Sequence, residues 1–99
     1  FLDQVVVLKP GFAEGWNRRA TMHYLAGNLP KSMADIERTL SLEPRHFGAL
    51  SGMAAIFMDI GKKEQALAAY RRVLEVYPQL REAQSAVGIL EDELTGSRI

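Results

Sequence analysis

The sequence predicts an all-α fold made of short antiparallel helix pairs, and three observations lead to this prediction. First, Pro10, Pro44 and Pro78 are spaced at intervals of 34 residues, which is typical of a helical repeat. Second, apolar residues between the prolines recur at the spacing of one helix face, and one glycine divides each interval into two helices. Third, residues 34 positions apart are identical at several places: Ala20 and Ala54, Gly27 and Gly61, Ala34 and Ala68, Arg38 and Arg72, Leu40 and Leu74.

Residues 1–10 are predicted to form the second helix of a truncated repeat unit, whose first helix we expect upstream of Phe1. Apolar residues lie at near-helical spacing in this segment, and Pro10 then ends the helix. These apolar residues are Leu2, Val5, Val6 and Leu8. The run Val5–Val7 could also form a strand by its β propensity, but Pro10 follows it in phase with the repeat and favours the helix.

Residues 13–44 are predicted to form the first complete unit. Its first helix is expected over residues 13–26 and ends at Gly27. The second helix is expected to start at Leu29, because Pro30 suits a first helical turn, and to end before Pro44. The residues predicted to face inward are Trp16, Ala20, His23, Tyr24, Met33, Ile36, Leu40 and either Thr39 or Leu42.

Residues 47–78 repeat this plan, with helices predicted over residues 46–60 and 63–76 and Gly61 at the turn. The residues predicted to face inward here are Leu50, Met53, Ala54, Phe57, Ile60, Ala66, Leu67, Tyr70, Val73 and Leu74. A capping helix is predicted over residues 80–94, followed by a polar end over residues 95–99. Its predicted inward face is Ala83, Ala86, Val87, Leu90 and Leu94, and its predicted solvent face is Glu91, Asp92 and Glu93.

Helices of this length are marginal in isolation, so we expect them to be stabilised by packing against one another. Small side chains are predicted to let neighbouring helices approach closely, at Ala20, Ala34, Ala54, Ala66 and Ala68. Large side chains are predicted to fill the space between helix pairs, at Trp16, Ile36, Phe57 and Tyr70.

The 34-residue unit resembles the tetratricopeptide repeat (TPR). The first unit carries the residues of that pattern at Trp16, Ala20, Gly27, Ser32, Ile36 and Pro44, and the second at Leu50, Ala54, Gly61, Ala66, Tyr70 and Pro78. The resemblance covers residues 1–99 as a single domain, with a half repeat before Pro10 and a capping helix after Pro78. Arg19 departs from it, standing where many units carry leucine.

The resemblance implies a TPR-type α-solenoid, a right-handed superhelix of antiparallel helix pairs whose first helices line a concave groove. Such arrays typically bind a peptide or a partner protein and are rarely catalysts. The family's groove-facing spacing selects Glu14, Asn17, Thr21, Tyr24, Leu25, Ser51, Ala55, Met58, Asp59, Glu82, Ser85, Ile89, Asp92 and Glu93. This groove would be apolar at its centre and acidic toward its C-terminal end, which would suit a ligand with apolar anchors and a basic residue. Alternatively, the acidic residues are only the solvated face of a capping helix.

Some members of the family bind the C-terminal carboxylate of chaperones with basic and amide side chains. The matching positions here are Asn17, Thr21, Gly52, Glu82 and Ala86. They supply no positive charge, and the glutamate would repel a carboxylate, so we predict no chaperone carboxylate clamp.

Composition disfavours several other functions. The 12 basic and 12 acidic residues give a formal net charge of +0, whereas nucleic acids and anionic membranes usually select a basic excess. The chain has no cysteine, no phosphate-binding loop and no cluster of candidate catalytic residues, so we predict neither an enzyme nor a cofactor. His23 and His46 are too far apart in the repeat to form a metal pair and are interpreted as packing or capping residues.

A structural role is the alternative function. The N-terminal half repeat would expose Val5, Val6 and Leu8 unless they are covered, so the chain could stack on further repeats or on a second copy of itself as a homo-oligomer. The remaining assignments concern one tryptophan and two basic pairs. Trp16 is interpreted as a packing residue rather than a ligand platform. The basic pairs Arg18–Arg19 and Arg71–Arg72 are expected to form surface ion pairs. Their expected partners are Glu14, Asp35 and Glu75.

Overall fold

A computed structural model describes residues 2–96 of the chain, and this part of the chain contains six α-helices and no strand. The helices are α1 (Leu2–Leu8), α2 (Ala13–Leu25), α3 (Leu29–Leu42), α4 (Phe47–Asp59), α5 (Lys63–Val76) and α6 (Arg81–Leu94). The predicted all-α class is therefore confirmed, and the Val5–Val7 run is helical. Phe1 and residues 97–99, which include most of the predicted polar end, lie outside the described residues.

The six helices pack in the order in which they follow one another along the chain. Helices α2 and α3 form one hairpin, and α4 and α5 form the next. Helix α3 contacts α4, α5 contacts α6, and the first helices α2 and α4 also touch each other. The result is an elongated α-solenoid of 54 × 26 × 18 Å.

The turns inside both hairpins depend on a glycine with left-handed backbone geometry. Gly27 has φ 81° and Gly61 has φ 77°, which a residue with a Cβ adopts at a steric cost. The amide that follows each glycine bonds back into the preceding helix, from Asn28 N–H to His23 O and from Lys62 N–H to Phe57 O. These bonds satisfy carbonyls at the helix ends and explain why glycine recurs at this place in each unit.

Side chains cap the start of two helices. Asn28 Oδ1 accepts a hydrogen bond from the Lys31 amide at the start of α3, and His46 Nδ1 accepts one from the Ala49 amide at the start of α4. Because Nδ1 accepts, the neutral His46 ring carries its proton on Nε2, which lies 2.9 Å from Glu14 Oε1. His46 therefore caps α4 and also ties it to α2.

The core consists of three apolar clusters along the solenoid. Their buried members are Ala20, Ile36, Ala49 and Ile56; then Leu50, Val73 and Ala83; then Ala66, Leu67 and Leu90. Tyr70 and Leu40 pack against these clusters and are partly buried. The prediction of an inward face is wrong for Ile60 and Leu94, which are exposed just after α4 and at the end of α6.

The small residues are buried at only some of the predicted positions. Ala20, Ala54 and Ala66 are buried as expected, but the prediction for Ala34 and Ala68 is wrong, because both are exposed. The close contact in the first hairpin is made by Ser32 instead, whose Oγ donates to the Ala20 carbonyl at 2.7 Å. Ser32 and Ala66 are equivalent in the repeat and turn toward the first helix, whereas residues two positions later point away from it.

The first unit contains a half-buried ion-pair cluster that the second unit lacks. Arg19 donates two hydrogen bonds to Asp35, at 2.8 and 2.9 Å, and one to Asp3 at 3.0 Å, so it links α1, α2 and α3. The bond to Asp35 raises the pKa of Arg19 above its ordinary value, against the opposing effect of burial. The equivalent positions of the second unit hold Met53 and Ala69.

Other expected ion pairs form in part. Arg18 pairs with Glu14 at 3.4 Å, as predicted, whereas Arg71 pairs with Glu91 of α6 at 2.6 Å. The Glu75 backbone carbonyl accepts a hydrogen bond from Arg45.

Trp16 is half-buried and packs between the first unit and the end of the half repeat. Its indole N–H donates to the Pro10 carbonyl at 2.8 Å. The guanidinium groups of Arg19 and Arg38 lie 5.2 and 5.5 Å from its ring centroid, within the range of cation–π attraction.

Candidate binding groove

Among the depressions formed by residues 2–96, two lie beside the first helices α2, α4 and α6. The first, which we call the trough, lies between α2 and α4 and encloses about 190 Å³. It is lined by Asn17, Ala20, Thr21, Tyr24, Ser32, Ile36, Gly48, Gly52 and Ala55. The second, which we call the α4–α6 depression, encloses about 450 Å³ and is lined by Met58, Arg81, Glu82, Ser85, Ala86, Ile89 and Leu90.

Two glycines of α4 create the trough. Gly48 and Gly52 are one turn apart and share a helix face with Ala55, so this flank of α4 has almost no side chain. A Cβ at Gly52 would lie 3.3 Å from Ile36 Cδ1, and a Cβ at Gly48 would lie 3.0 Å from Asn17 Nδ2. Any larger residue would therefore push into the floor or the opposite wall.

The floor of the trough is apolar and its polar atoms are already bonded. Ile36 is buried beneath it, and Ser32 gives its hydroxyl proton to the Ala20 carbonyl. On the opposite wall, Thr21 Oγ1 donates to the Asn17 carbonyl at 3.1 Å. The Asn17 side-chain amide makes no hydrogen bond within residues 2–96, so it is available to a ligand.

Tyr24 closes one end of the trough through a bond between the two first helices. Its hydroxyl donates to Asp59 Oδ2 at 2.7 Å. This bond, followed by burial, raises the pKa of Tyr24 above its ordinary value, so the phenol remains a donor at neutral pH. The pKa of Tyr70 is also raised, mainly by burial and secondarily by the charge of Asp59.

The α4–α6 depression is wider and differs in its charge. Met58 and Ile89 line it with exposed apolar side chains. Arg81 and Glu82 give it one charge of each sign. It therefore offers more apolar surface than the trough, and the formal charges of its lining side chains cancel.

The structure distributes the groove residues selected from the sequence over these two depressions. Asn17, Thr21, Tyr24 and Ala55 line the trough, and Met58, Glu82, Ser85 and Ile89 line the α4–α6 depression. Leu25, Ser51 and Asp59 line neither one; Leu25 and Asp59 are exposed, and Ser51 is half-buried.

Part of the acidic charge expected at the C-terminal end of the groove is used elsewhere. Glu93 pairs with Lys63 of α5 at 3.2 Å, so its side chain reaches toward α5. Glu91, which we predicted only on the solvent face, pairs with Arg71 of α5. At the other end, Glu14 bonds to His46 and Arg18.

Sequence reasoning missed the glycine flank, although the spacing of Gly48 and Gly52 inside a predicted helix was a visible signal.

None of the helices within residues 2–96 combines the length and apolarity needed to cross a bilayer. Within the same range, His, Asp and Glu do not gather in any group of three or more suited to a metal ion.

Comparisons with known proteins give two relatives. A TPR repeat-containing protein of Rhizobium etli is 53% identical over 98 residues, which is 99% of this chain and 48% of that protein. The serine/threonine-protein phosphatase T of Trypanosoma brucei brucei is 32% identical over 71 residues, which is 71% of this chain and 15% of that protein. No protein-family model matches the chain. The chain thus spans about half the length of the first relative and a small part of the second.

Proposed function

Because this chain belongs to the tetratricopeptide-repeat family, we propose that it is a protein-interaction module whose α2–α4–α6 face binds a peptide or a partner protein. The family assignment rests on the Rhizobium etli relative together with the six sequentially packed helices. TPR segments are generally not catalytic, and we propose a non-enzymatic role here as well.

The observation that carries this proposal is the trough itself. It is a preformed hollow with an apolar floor and a flank made of glycine and alanine. On its wall lies the Asn17 side-chain amide, which makes no hydrogen bond within residues 2–96. Small-molecule and peptide sites commonly combine such apolar walls with a few polar groups that fix orientation. The glycine flank also lets a ligand approach the backbone of α4 closely.

We propose that the partner brings apolar anchors and a basic residue to this face. Met58 and Ile89 offer apolar contact in the α4–α6 depression, while Asp59 and Glu82 offer negative charge. A chaperone carboxylate would meet Glu82 and no basic partner at the clamp positions, so we propose that ligands of that kind are not bound.

The proposal is tested by selecting random 12-residue peptides, displayed on phage, against the immobilised 99-residue chain. The matched variants are Ala55→Leu, which fills the trough, and Ala68→Leu, which changes an exposed position on α5. We expect peptides that bind the natural chain and Ala68→Leu but not Ala55→Leu, with unchanged circular dichroism for all three. Failure to enrich any peptide, or equal enrichment on all three proteins, would contradict a binding site on this face.

A structural role remains the second candidate because of the exposed apolar residues of α1. Val7 and Leu8 are 74% and 78% exposed, whereas Val6 is 4% exposed and Val5 packs close to Gly15 of α2. The predicted exposure is therefore correct for Leu8 and wrong for Val6, and Val5 is half-buried. Sedimentation velocity at two concentrations tests this role: self-stacking predicts larger species at the higher concentration, and these should disappear in a Val7→Lys, Leu8→Lys variant.

A further inference from the structure

We infer that the trough receives the side chain of a lysine or arginine from the bound peptide, with its aliphatic part against α4 and its cation at Asp59. This inference deepens the proposed function and depends on it. It starts from the order of residues along one face of α4, which runs Gly48, Gly52, Ala55 and Asp59 at spacings of four, three and four. This face of α4 therefore carries no side chain larger than a methyl group from Gly48 to Ala55, and it ends at the carboxylate of Asp59.

The dimensions of this face suit a long, thin side chain. From Gly52 to Asp59 the helix rises about 10 Å, at about 1.5 Å per residue. The trough volume of about 190 Å³ is small, and its floor at Ile36 has no free hydrogen-bonding atom, because the Ser32 hydroxyl is already bonded. Lysine and arginine bury an aliphatic stem along such apolar surface and keep the charged group at the wet end.

The carboxylate at the end of the trough is oriented but not neutralised. Asp59 Oδ2 accepts the Tyr24 hydroxyl, while Oδ1 accepts no hydrogen bond from residues 2–96. The phenol is a neutral donor, so the pair retains one full negative charge. A cation from the peptide would form a charge-assisted bond there, whereas a neutral apolar side chain would remove water from Asp59 without replacing it.

The α4–α6 depression does not share this arrangement. It is more than twice as large, its exposed side chains Met58 and Ile89 are apolar, and Arg81 stands beside Glu82. Arg81 and Glu82 place one charge of each sign in that depression, so a basic side chain would gain less there than beside Asp59. The two depressions therefore differ in chemistry, and the basic residue of the ligand is assigned to the trough.

The test uses a basic peptide enriched by the selection described above and synthesised with a fluorophore. It is compared with a set of variants of that peptide, in each of which norleucine replaces one lysine or arginine. Binding is measured by fluorescence anisotropy on the natural chain, Asp59→Asn and Tyr24→Phe. We expect one replacement to weaken binding to the natural chain about tenfold, as for the loss of a charge-assisted bond. The same replacement should change the affinity for Asp59→Asn very little. Its effect on the affinity for Tyr24→Phe should lie between its effects on the natural chain and on Asp59→Asn.

The outcomes separate this inference from the proposed function. Enriched peptides that contain no basic residue, or a norleucine effect of equal size on the natural chain and on Asp59→Asn, would overturn the inference while the groove remained a binding site. No enriched peptide at all would overturn the proposed function and this inference together. Thermal melts of Asp59→Asn and Tyr24→Phe confirm that both variants are folded before binding is compared.

Discussion

Replacing Arg19 tests how much the half-buried ion pair between Arg19 and Asp35 contributes to the free energy of unfolding. The alternative is that each charge of the pair only offsets the cost of burying the other. The Asp35 side chain is 5% exposed and the Arg19 side chain is 24% exposed, so the two partners are buried to different extents. Arg19→Met would leave the buried Asp35 carboxylate without its arginine, with His23 Nε2 3.7 Å away from Asp35 Oδ2. Asp35→Ala would leave Arg19 near the surface, still bonded to Asp3.

This difference in burial predicts that the two single substitutions lower the free energy of unfolding by different amounts. Removing one partner of a fully buried pair costs about 3–5 kcal/mol, and the partial exposure of Arg19 places Arg19→Met at about 3 kcal/mol. Asp35→Ala should cost about 1 kcal/mol, because Arg19 keeps one carboxylate and some contact with water. The double variant should also cost about 1 kcal/mol, because the second unit already packs Met53 and Ala69 at the equivalent positions.

The assay is urea unfolding of the four proteins, followed by circular dichroism at neutral pH. The predicted values give a coupling free energy of about 3 kcal/mol, at the upper end for side chains in contact. If Asp35→Ala cost more than Arg19→Met, or if the double variant cost the sum of the single ones, the reasoning would be refuted. The first result would mean that the arginine, rather than the carboxylate, is the group that depends on the pair.

The helix plan could be predicted from the sequence because it depends on local signals that recur. Pro44 and Pro78 end second helices, and Gly27 and Gly61 adopt the positive φ that a hairpin turn requires. These residues act through their own backbone, so their effect does not depend on distant contacts. Hydrophobic spacing then identified most of the core.

The wrong predictions for Ala34 and Ala68 concern which way a residue faces when its neighbours are equally small. Ala34 and Ala68 match in the repeat, but periodicity alone does not separate them from Ser32 and Ala66, which lie two positions earlier. The structure buries the earlier pair because those residues point at the first helix. A polar Ser32 at this position is tolerated because its hydroxyl bonds to the Ala20 carbonyl.

The candidate site arises where the units differ, which is why the repeat pattern did not predict it. The positions of Gly48 and Gly52 hold Glu14 and Arg18 in the first unit. Those two larger side chains form an ion pair with each other on α2, whereas the glycines leave α4 bare. A trough between α2 and α4 therefore follows from two substitutions in one unit, while the shared residues only set the spacing of the helices.

Three further predictions test the packing, the helix cap and the bond across the groove. Ala54→Leu should lower the free energy of unfolding in urea by about 1–3 kcal/mol, because it overpacks a position that is 0% exposed. Ala68→Leu, on the surface of α5, should change it by less than about 0.5 kcal/mol. Equal losses for the two variants would contradict the packing described. His46→Ala should cost about 1 kcal/mol in the same assay through loss of the α4 cap, and an unchanged midpoint would show that the cap contributes nothing. Tyr24→Phe should cost about 0.5–1 kcal/mol at neutral pH through loss of the bond to Asp59. Since folding raises the pKa of Tyr24, the stability from this bond is complete below the unfolded pKa of about 10 and is lost as the pH rises through the folded value. The difference between the natural chain and Tyr24→Phe should therefore persist to about pH 9 and shrink above about pH 10, and a difference that grew with pH in that range would refute the assignment of the phenol as donor.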